Sequence, residues 1–362
     1  MRHIDEYRDP EQVRKLVAAI REANPPPMTI MEVCGTHTMA VGRYGIRQLL
    51  PPEVRLISGP GCPVCVTPQS DIDAFLGLAA RPGVTVTTFG DMLRVPGSKS
   101  SLEAERARGA DVRIVYSPTD GLETARRNLA KETVFFGVGF ETTAPGVALT
   151  LAAAARENVP NFSLYCVHKL IPPALSALLS GEAPAVDGFL LPGHVSTIIG
   201  TSAYEPIARD FHVPCVISGF EPVDILQSVL MLARQVKEGR AEVENQYRRA
   251  VTPNGNFAAQ QAVEAVFEPC DSSWRGIGVI PASGLKVRQE YEAYDALHRF
   301  GISEMAEIPE PAGCLCGEVL KGRARPADCP LFGSSCTPAE PVGPCMVSSE
   351  GTCAAWYHYG GE

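Results

Sequence analysis

The chain has 362 residues, of which 45% are hydrophobic and 20% charged, with a net charge of −9. This suggests a globular protein of two or three domains, and the acidic balance without a long basic run argues against nucleic acid or an acidic membrane surface as partner. Twelve cysteines accompany an N-terminus without an apolar signal core and no run long enough to span a bilayer; a cytoplasmic setting is expected, where cysteines serve as ligands or catalysts more often than as staples.

Val13, Leu16, Val17 and Ile20 fall at helical spacing and predict a helix over 10–23, ended by Pro25-Pro26-Pro27. The apolar run Ile30–Val33 then presents Cys34-Gly35-Thr36-His37-Thr38 at a strand end or helix start. Eight short apolar runs follow: Val54–Ser58, Val84–Phe89, Val112–Tyr116, Val134–Val138, Phe162–Val167, Gly188–Leu191, Cys215–Ser218 and Ile277–Ile280. Runs of this kind predict buried parallel strands. Helices are expected between them at Ile72–Ala80, Leu122–Ala130, Ala144–Arg156 and Val223–Lys237.

Four strands and then four more predict an α/β fold of two similar parallel-sheet domains facing a cleft. The repeated turns Gly139-Phe140-Glu141 and Gly219-Phe220-Glu221 read as a trace of internal duplication. The expected segments are 1–50 for the first helix and the Cys34/His37 region, 51–140 and 141–300 for the two α/β domains, and 301–362 for a small Cys-rich cluster domain. Open α/β sheets bind ligands beyond the carboxyl ends of their strands, where the motif-rich turns fall.

Three kinds of sulfur site stand out. Cys62-Pro63-Val64-Cys65 is expected at a helix start, where the helix dipole favours thiolate; it reads as a redox pair, as two metal ligands or as inert thiols. Cys34 reads as a functional thiol. His37 either shares a metal ion with it or is a hydrogen-bonded structural histidine. In the tail, Cys316, Cys329, Cys336 and Cys353 are separated by 12, 6 and 16 residues, with Cys314 and Cys345 nearby. Iron–sulfur clusters are held by four thiolates, and Pro- and Gly-rich spacers leave the chain free to wrap one.

His194, in Pro192-Gly193-His194-Val195-Ser196, is a candidate proton carrier or metal ligand. Glu141, Glu221 and Asp91 read either as proton carriers or as helix caps. Gly137-Val138-Gly139 resembles a fragment of a nucleotide-binding turn, but no Walker lysine follows. Cys166, Cys215 and Cys270 stand singly in or near apolar runs and read as buried small hydrophobes.

Taken together, Met31–Thr38, Gly59–Pro68, Gly139–Pro145, Pro192–Ser196, Val243–Arg249 and Cys353–Tyr357 resemble, in order, the HypD family of nickel–iron hydrogenase maturation factors. The resemblance covers essentially the whole chain. It implies two similar α/β domains plus a domain holding a 4Fe-4S cluster, and a role as scaffold and redox centre in assembling an Fe(CN)2(CO) unit. It implies a HypC-type small chaperone as partner, with cyanide delivered by HypE and HypF. By match to the family's motifs, Cys34 is the ligand of the transient Fe(CN)2(CO) iron, with His37 beside it, and Cys62 and Cys65 are the redox pair. Cys316, Cys329, Cys336 and Cys353 are the cluster ligands; Cys314 and Cys345 look additional. His194 and Glu141 are expected to handle protons in the cleft. The competing expectation is an iron–sulfur-dependent thiol–disulfide oxidoreductase acting on a protein partner, which leaves Cys34 and His37 unexplained.

Overall fold

The computed structural model describes residues 5–181, 186–303 and 308–360. Residues 1–4, part of the stretch expected to lack an apolar signal core, lie outside them. The strands are β1 (Met28–Glu32), β2 (Val54–Ser58), β3 (Val84–Thr88), β4 (Asp111–Ile114), β5 (Glu132–Gly137), β6 (Phe162–Cys166), β7 (Gly188–Pro192), β8 (Cys215–Ser218), β9 (Val243–Asn245), β10 (Phe267–Trp274) and β11 (Gly278–Val287). They form a sheet in the order β2-β1-β7-β8-β9, a second sheet in the order β4-β3-β5-β6, and a β10-β11 hairpin. All pairings within the two larger sheets are parallel.

Numbered within its own sheet, each set of strands winds in the same way, 2-1-3-4, with one extra strand at the end of the larger sheet. The expected pair of similar α/β sheets is present. The chain does not, however, build one sheet and then the other. It leaves the larger sheet after β2, builds the smaller one from β3 to β6, and returns at β7. The boundaries expected at 50/51 and 140/141 therefore cut through paired strands, because β1 pairs with β2 and β5 with β6. The two Gly-Phe-Glu turns follow the third strand of one sheet (β5) and the fourth of the other (β8), so they are not in equivalent places.

The last expected parallel strand, Ile277–Ile280, lies instead in the antiparallel hairpin, with Ile277 in the turn and Gly278–Ile280 opening β11. Gly276, at φ 70°, allows the tight reversal after Trp274. An apolar run carries no information about strand direction, which is why the sequence does not signal this.

The predicted helices are present, with Pro10–Ala23 and Ala144–Arg156 at the expected bounds. Pro10–Ala23 and Pro222–Glu238 pack together on the outer face of the larger sheet, burying Ile20, Ile30, Leu190, Ile225 and Val229. The outer face of the smaller sheet is covered by Ala144–Arg156 and the hairpin, through Phe135, Leu151, Phe162, Phe267 and Leu285. A third core joins the inner sides of both sheets to the C-terminal tail and contains Met31, Phe75, Phe136, Phe189, Trp274, Cys316 and Cys345. The tail is tied back to the N-terminal region. Helix Thr352–Tyr359 packs on helix Gly35–Arg43. Arg47 lies over Trp356 at 5.5 Å and pairs at 2.7 Å with the fully buried Glu32 of β1. No helix of the described residues is long and apolar enough to cross a membrane.

Candidate functional site

The 2-1-3 winding places a crevice between the first and third strand of each sheet, where successive connections run to opposite sides. These crevices lie at the carboxyl ends of β1 and β7 in one sheet and of β3 and β5 in the other. They face each other across a cleft of about 340 Å³, lined by Cys34, Pro63, Asp91, Phe140, His194 and Glu350 among others. A larger cavity of about 960 Å³, including Asp187, Arg209, His212 and Arg240, holds none of the candidate residues.

Cys34 directly follows the core residue Val33 and is the N-cap of helix Gly35–Arg43. Burial, with a smaller contribution from the charge of Glu350, pushes its thiol up to about 12. The sulfur is thus a protonated thiol at neutral pH. Cys34 is held there by a close backbone approach. The Gly35 N–H donates to the Gly61 carbonyl at 2.8 Å, and a Cβ on Gly61 would lie 2.3 Å from the Cys34 nitrogen and 2.5 Å from its Cα. Backbone atoms cannot yield as a side chain can. Gly61→Ala is therefore expected to destabilise the fold by about 1–3 kcal/mol, read from the urea midpoint. Gly77→Ala, on an exposed helical position with open space around it, should be neutral or stabilising.

Glu350 is the acid that sequence reasoning missed. Thr36 Oγ1 donates to its Oε1 at 2.7 Å, and burial raises its carboxyl pKa. Beside it, Ser348 Oγ donates to Asp91 Oδ2 at 2.8 Å. The available signal was its place in Ser348-Ser349-Glu350-Gly351, a turn-rich tetrad between two tail cysteines.

The two candidate histidines sit on either side of one phenylalanine. Phe220 stacks on His37 at 4.8 Å and on His194 at 4.0 Å. His194 lines the cleft, and desolvation lowers its pKa. His37 is fully buried and is not among the cleft-lining residues. Its Nε2–H donates to the Gly219 carbonyl at 2.9 Å and its Nδ1 has no hydrogen-bond partner. Burial lowers its pKa to about 4, so the ring is neutral.

Glu141 also lies outside the cleft lining. Its Oε1 accepts the Ile171 N–H at 2.8 Å and so caps the helix Ile171–Ser180, while Oε2 is buried without a partner. Burial raises its pKa to about 7 from an ordinary 4.5. The folded chain therefore holds this proton more tightly than the unfolded chain. The contribution to stability is complete below pH 4.5 and is lost as pH rises through 7, a change on the order of 3 kcal/mol. Glu141→Gln should flatten this slope, which denaturant titrations across that window would read. Glu221 caps Pro222–Glu238 and pairs with Arg8 at 2.5 Å.

Cys62 and Cys65 form a disulfide at the start of helix Pro63–Val66. The helix is part of the cleft wall. Pro63 and Val64 line the cleft, whereas the cysteines, 3% and 0% exposed, belong to the core that also holds Cys316 and Cys345. The helix packs directly against Pro344–Met346.

All six tail cysteines, Cys314, Cys316, Cys329, Cys336, Cys345 and Cys353, line one small cavity of about 20 Å³ closed by Leu315, Val319, Leu331, Phe332 and Met346. Cys316 and Cys345 sulfurs are 2.9 Å apart. Hydrogen bonds from Cys314 and Cys345 hold the Cys316 thiol well below the usual range. Among the described residues no group of three His, Cys, Asp or Glu side chains could hold a single metal ion. A sulfur-only donor set within an apolar wall is instead the chemistry that an iron–sulfur cluster requires. The single cysteines divide: Cys215 is fully buried in β8, whereas Cys166 and Cys270 are partly exposed.

The HypD family model, described as the hydrogenase formation hypA family, matches residues 11–360. The chain is 48% identical to the hydrogenase maturation factor HypD of Rhodobacter capsulatus, over 100% of this chain and 99% of that protein. It is 50% identical to the factors of the same name from Escherichia coli K12 and Azotobacter vinelandii, over 99% of this chain and 98% and 97% of theirs.

Proposed function

The chain belongs to the HypD family of hydrogenase maturation factors, and on that premise we propose that it is the scaffold on which an Fe(CN)2(CO) unit is assembled. The observation that carries this reading is the placement of one thiol, Cys34, in a cleft between two sheet crevices, with a buried disulfide behind its wall. The iron unit is cargo. Cys34 holds it as thiolate after giving up its proton, and His194 and Glu350, which line the cleft, exchange protons with incoming ligands. Cys316, Cys329, Cys336 and Cys353 would hold a 4Fe-4S cluster, which supplies single electrons when bound. The Cys62–Cys65 disulfide opens to two thiols on taking up two electrons and two protons, and its burial keeps solution thiols away. That burial weighs against the competing reading of an oxidoreductase acting on a protein partner, whose disulfide must be reachable. A HypC-type chaperone and HypE, working in the cytoplasm, are the proposed partners.

The test is infrared spectroscopy in the cyanide and carbonyl stretching region, on protein purified anaerobically after co-expression with the maturation partners. Iron-bound cyanide and carbonyl bands support the scaffold. No bands, with a cluster and a reducible disulfide present, favour the oxidoreductase.

A further inference from the structure

An arginine in a hairpin turn is ordinarily at the surface. Arg275, between β10 and β11, is 4% exposed. Its backbone N–H donates to the Val66 carbonyl at 2.9 Å, Nε to the Thr67 carbonyl at 2.9 Å, and Nη1 to Gln69 Oε1 at 3.0 Å. Val66 and Thr67 close the short helix that begins at Cys62. The last carbonyls of a helix lack internal partners, and here one buried arginine supplies them. Its Nη2 has no hydrogen-bond partner.

The other side of the same turn lies on the tail. A Cβ on Gly276 would be 2.2 Å from the Gly317 Cα, and one on Gly317 would be 2.7 Å from the Gly276 Cα. The turn thus rests on the backbone of the residue next to Cys316. Glu310, whose Oε2 accepts the Gly317 N–H at 3.3 Å, lines a cavity of about 280 Å³ together with Arg275. Arg275 therefore sits one residue from the point where the hairpin turn touches the Cys316 segment.

We infer that Arg275 is a positioning residue that clamps the Cys62–Cys65 helix to the Cys316 segment and places a fixed buried cation beside the tail cysteines. This rests on the iron–sulfur reading given under Proposed function. Reducing the tail site by one electron adds one negative charge, which a desolvated cation nearby favours. Arg275 thereby raises the reduction potential of the tail site and keeps the disulfide within reach of it.

The experiment is a spectroscopically monitored redox titration of the anaerobic full-length chain, with trapping of the Cys62 and Cys65 thiols after timed exposure to dithionite. Arg275→Gln removes the charge and the fork; Arg275→Lys keeps the charge and loses the fork. The glutamine variant should titrate at a more negative potential and open the disulfide more slowly, by up to about a hundredfold, the scale of an ångström displacement between reacting groups. The lysine variant should titrate near wild type and still open the disulfide slowly. Wild-type potential and wild-type rate in the glutamine variant would overturn the inference. Should that variant not fold, the lysine variant decides: a wild-type opening rate refutes the clamp, and a potential lowered in it refutes the role of charge. A wild-type chain without iron or sulfide would instead overturn the iron–sulfur reading itself.

Discussion

Cys34→Ala is expected to abolish the infrared bands of iron-bound cyanide and carbonyl while leaving the iron and sulfide of the tail unchanged. Cys34 is the one cysteine among the described cleft-lining residues, and the nearby groups able to bind iron are oxygen and imidazole donors. Cyanide favours low-spin iron(II), for which the carboxylates of Asp91 and Glu350 are poor substitutes for a soft thiolate. The loss should exceed the ~10–100-fold typical of removing an outer-shell partner. The substitution deletes one sulfur from a buried N-cap position that makes no side-chain capping bond, so folding should change by only about 1 kcal/mol. Loss of bands together with a near-wild-type urea midpoint is the supporting pattern. A Cys34→Ala chain carrying the iron–cyanide unit at wild-type level would sink the assignment.

The sharp features of this site were legible because they are local. Cys34 follows an apolar run, so a strand end was expected, and β1 with the helix after it supplies one. Cys62 and Cys65 lie at the expected helix start, where Pro63 occupies the first helical position with its φ already suited to a helix. Helix Ala144–Arg156 has the expected bounds and likewise carries a proline, Pro145, near its start. What the sequence hid are contacts made by distant segments. His37 donates to Gly219 across 182 residues, and Thr36 reaches Glu350 across 314. Neither pair has a spacing to read. The smaller sheet is inserted into the larger one because a parallel strand may pair with any earlier strand once a crossover intervenes, so chain order cannot assign strands to sheets. His37 shows the consequence at the scale of one side chain. The sequence left open a metal shared with Cys34 and a hydrogen-bonded structural histidine, and it is a carbonyl and an aromatic ring from a remote turn that hold the imidazole in the core.

The second large effect is expected from Cys336→Ala: loss of the brown chromophore, and protease sensitivity confined to the tail. The reason lies in what replaces a core there. From Cys314 to Cys353 the regular elements are short, and the side chains that converge are the six cysteines and a few apolar residues around a cavity of about 20 Å³. On the iron–sulfur reading proposed above, this segment would depend on its metal group for order. Cys336 is itself buried, and its sulfur accepts the Val342 N–H at 3.3 Å, so removing it also frees the loop between Cys336 and Cys345. The two sheets have their own cores and should keep their helical circular dichroism. Undiminished iron and sulfide would show that Cys314 or Cys345 is a ligand in its place. The geometry separates these two: Cys345 is buried against the Cys316 sulfur and packs on the Cys62–Cys65 helix, whereas Cys314 is partly exposed. A Cys336→Ala/Cys345→Ala double variant distinguishes the rescue. Colour retained in the single variant and lost in the double would assign the fourth thiolate to Cys345, and colour retained in both would assign it to Cys314.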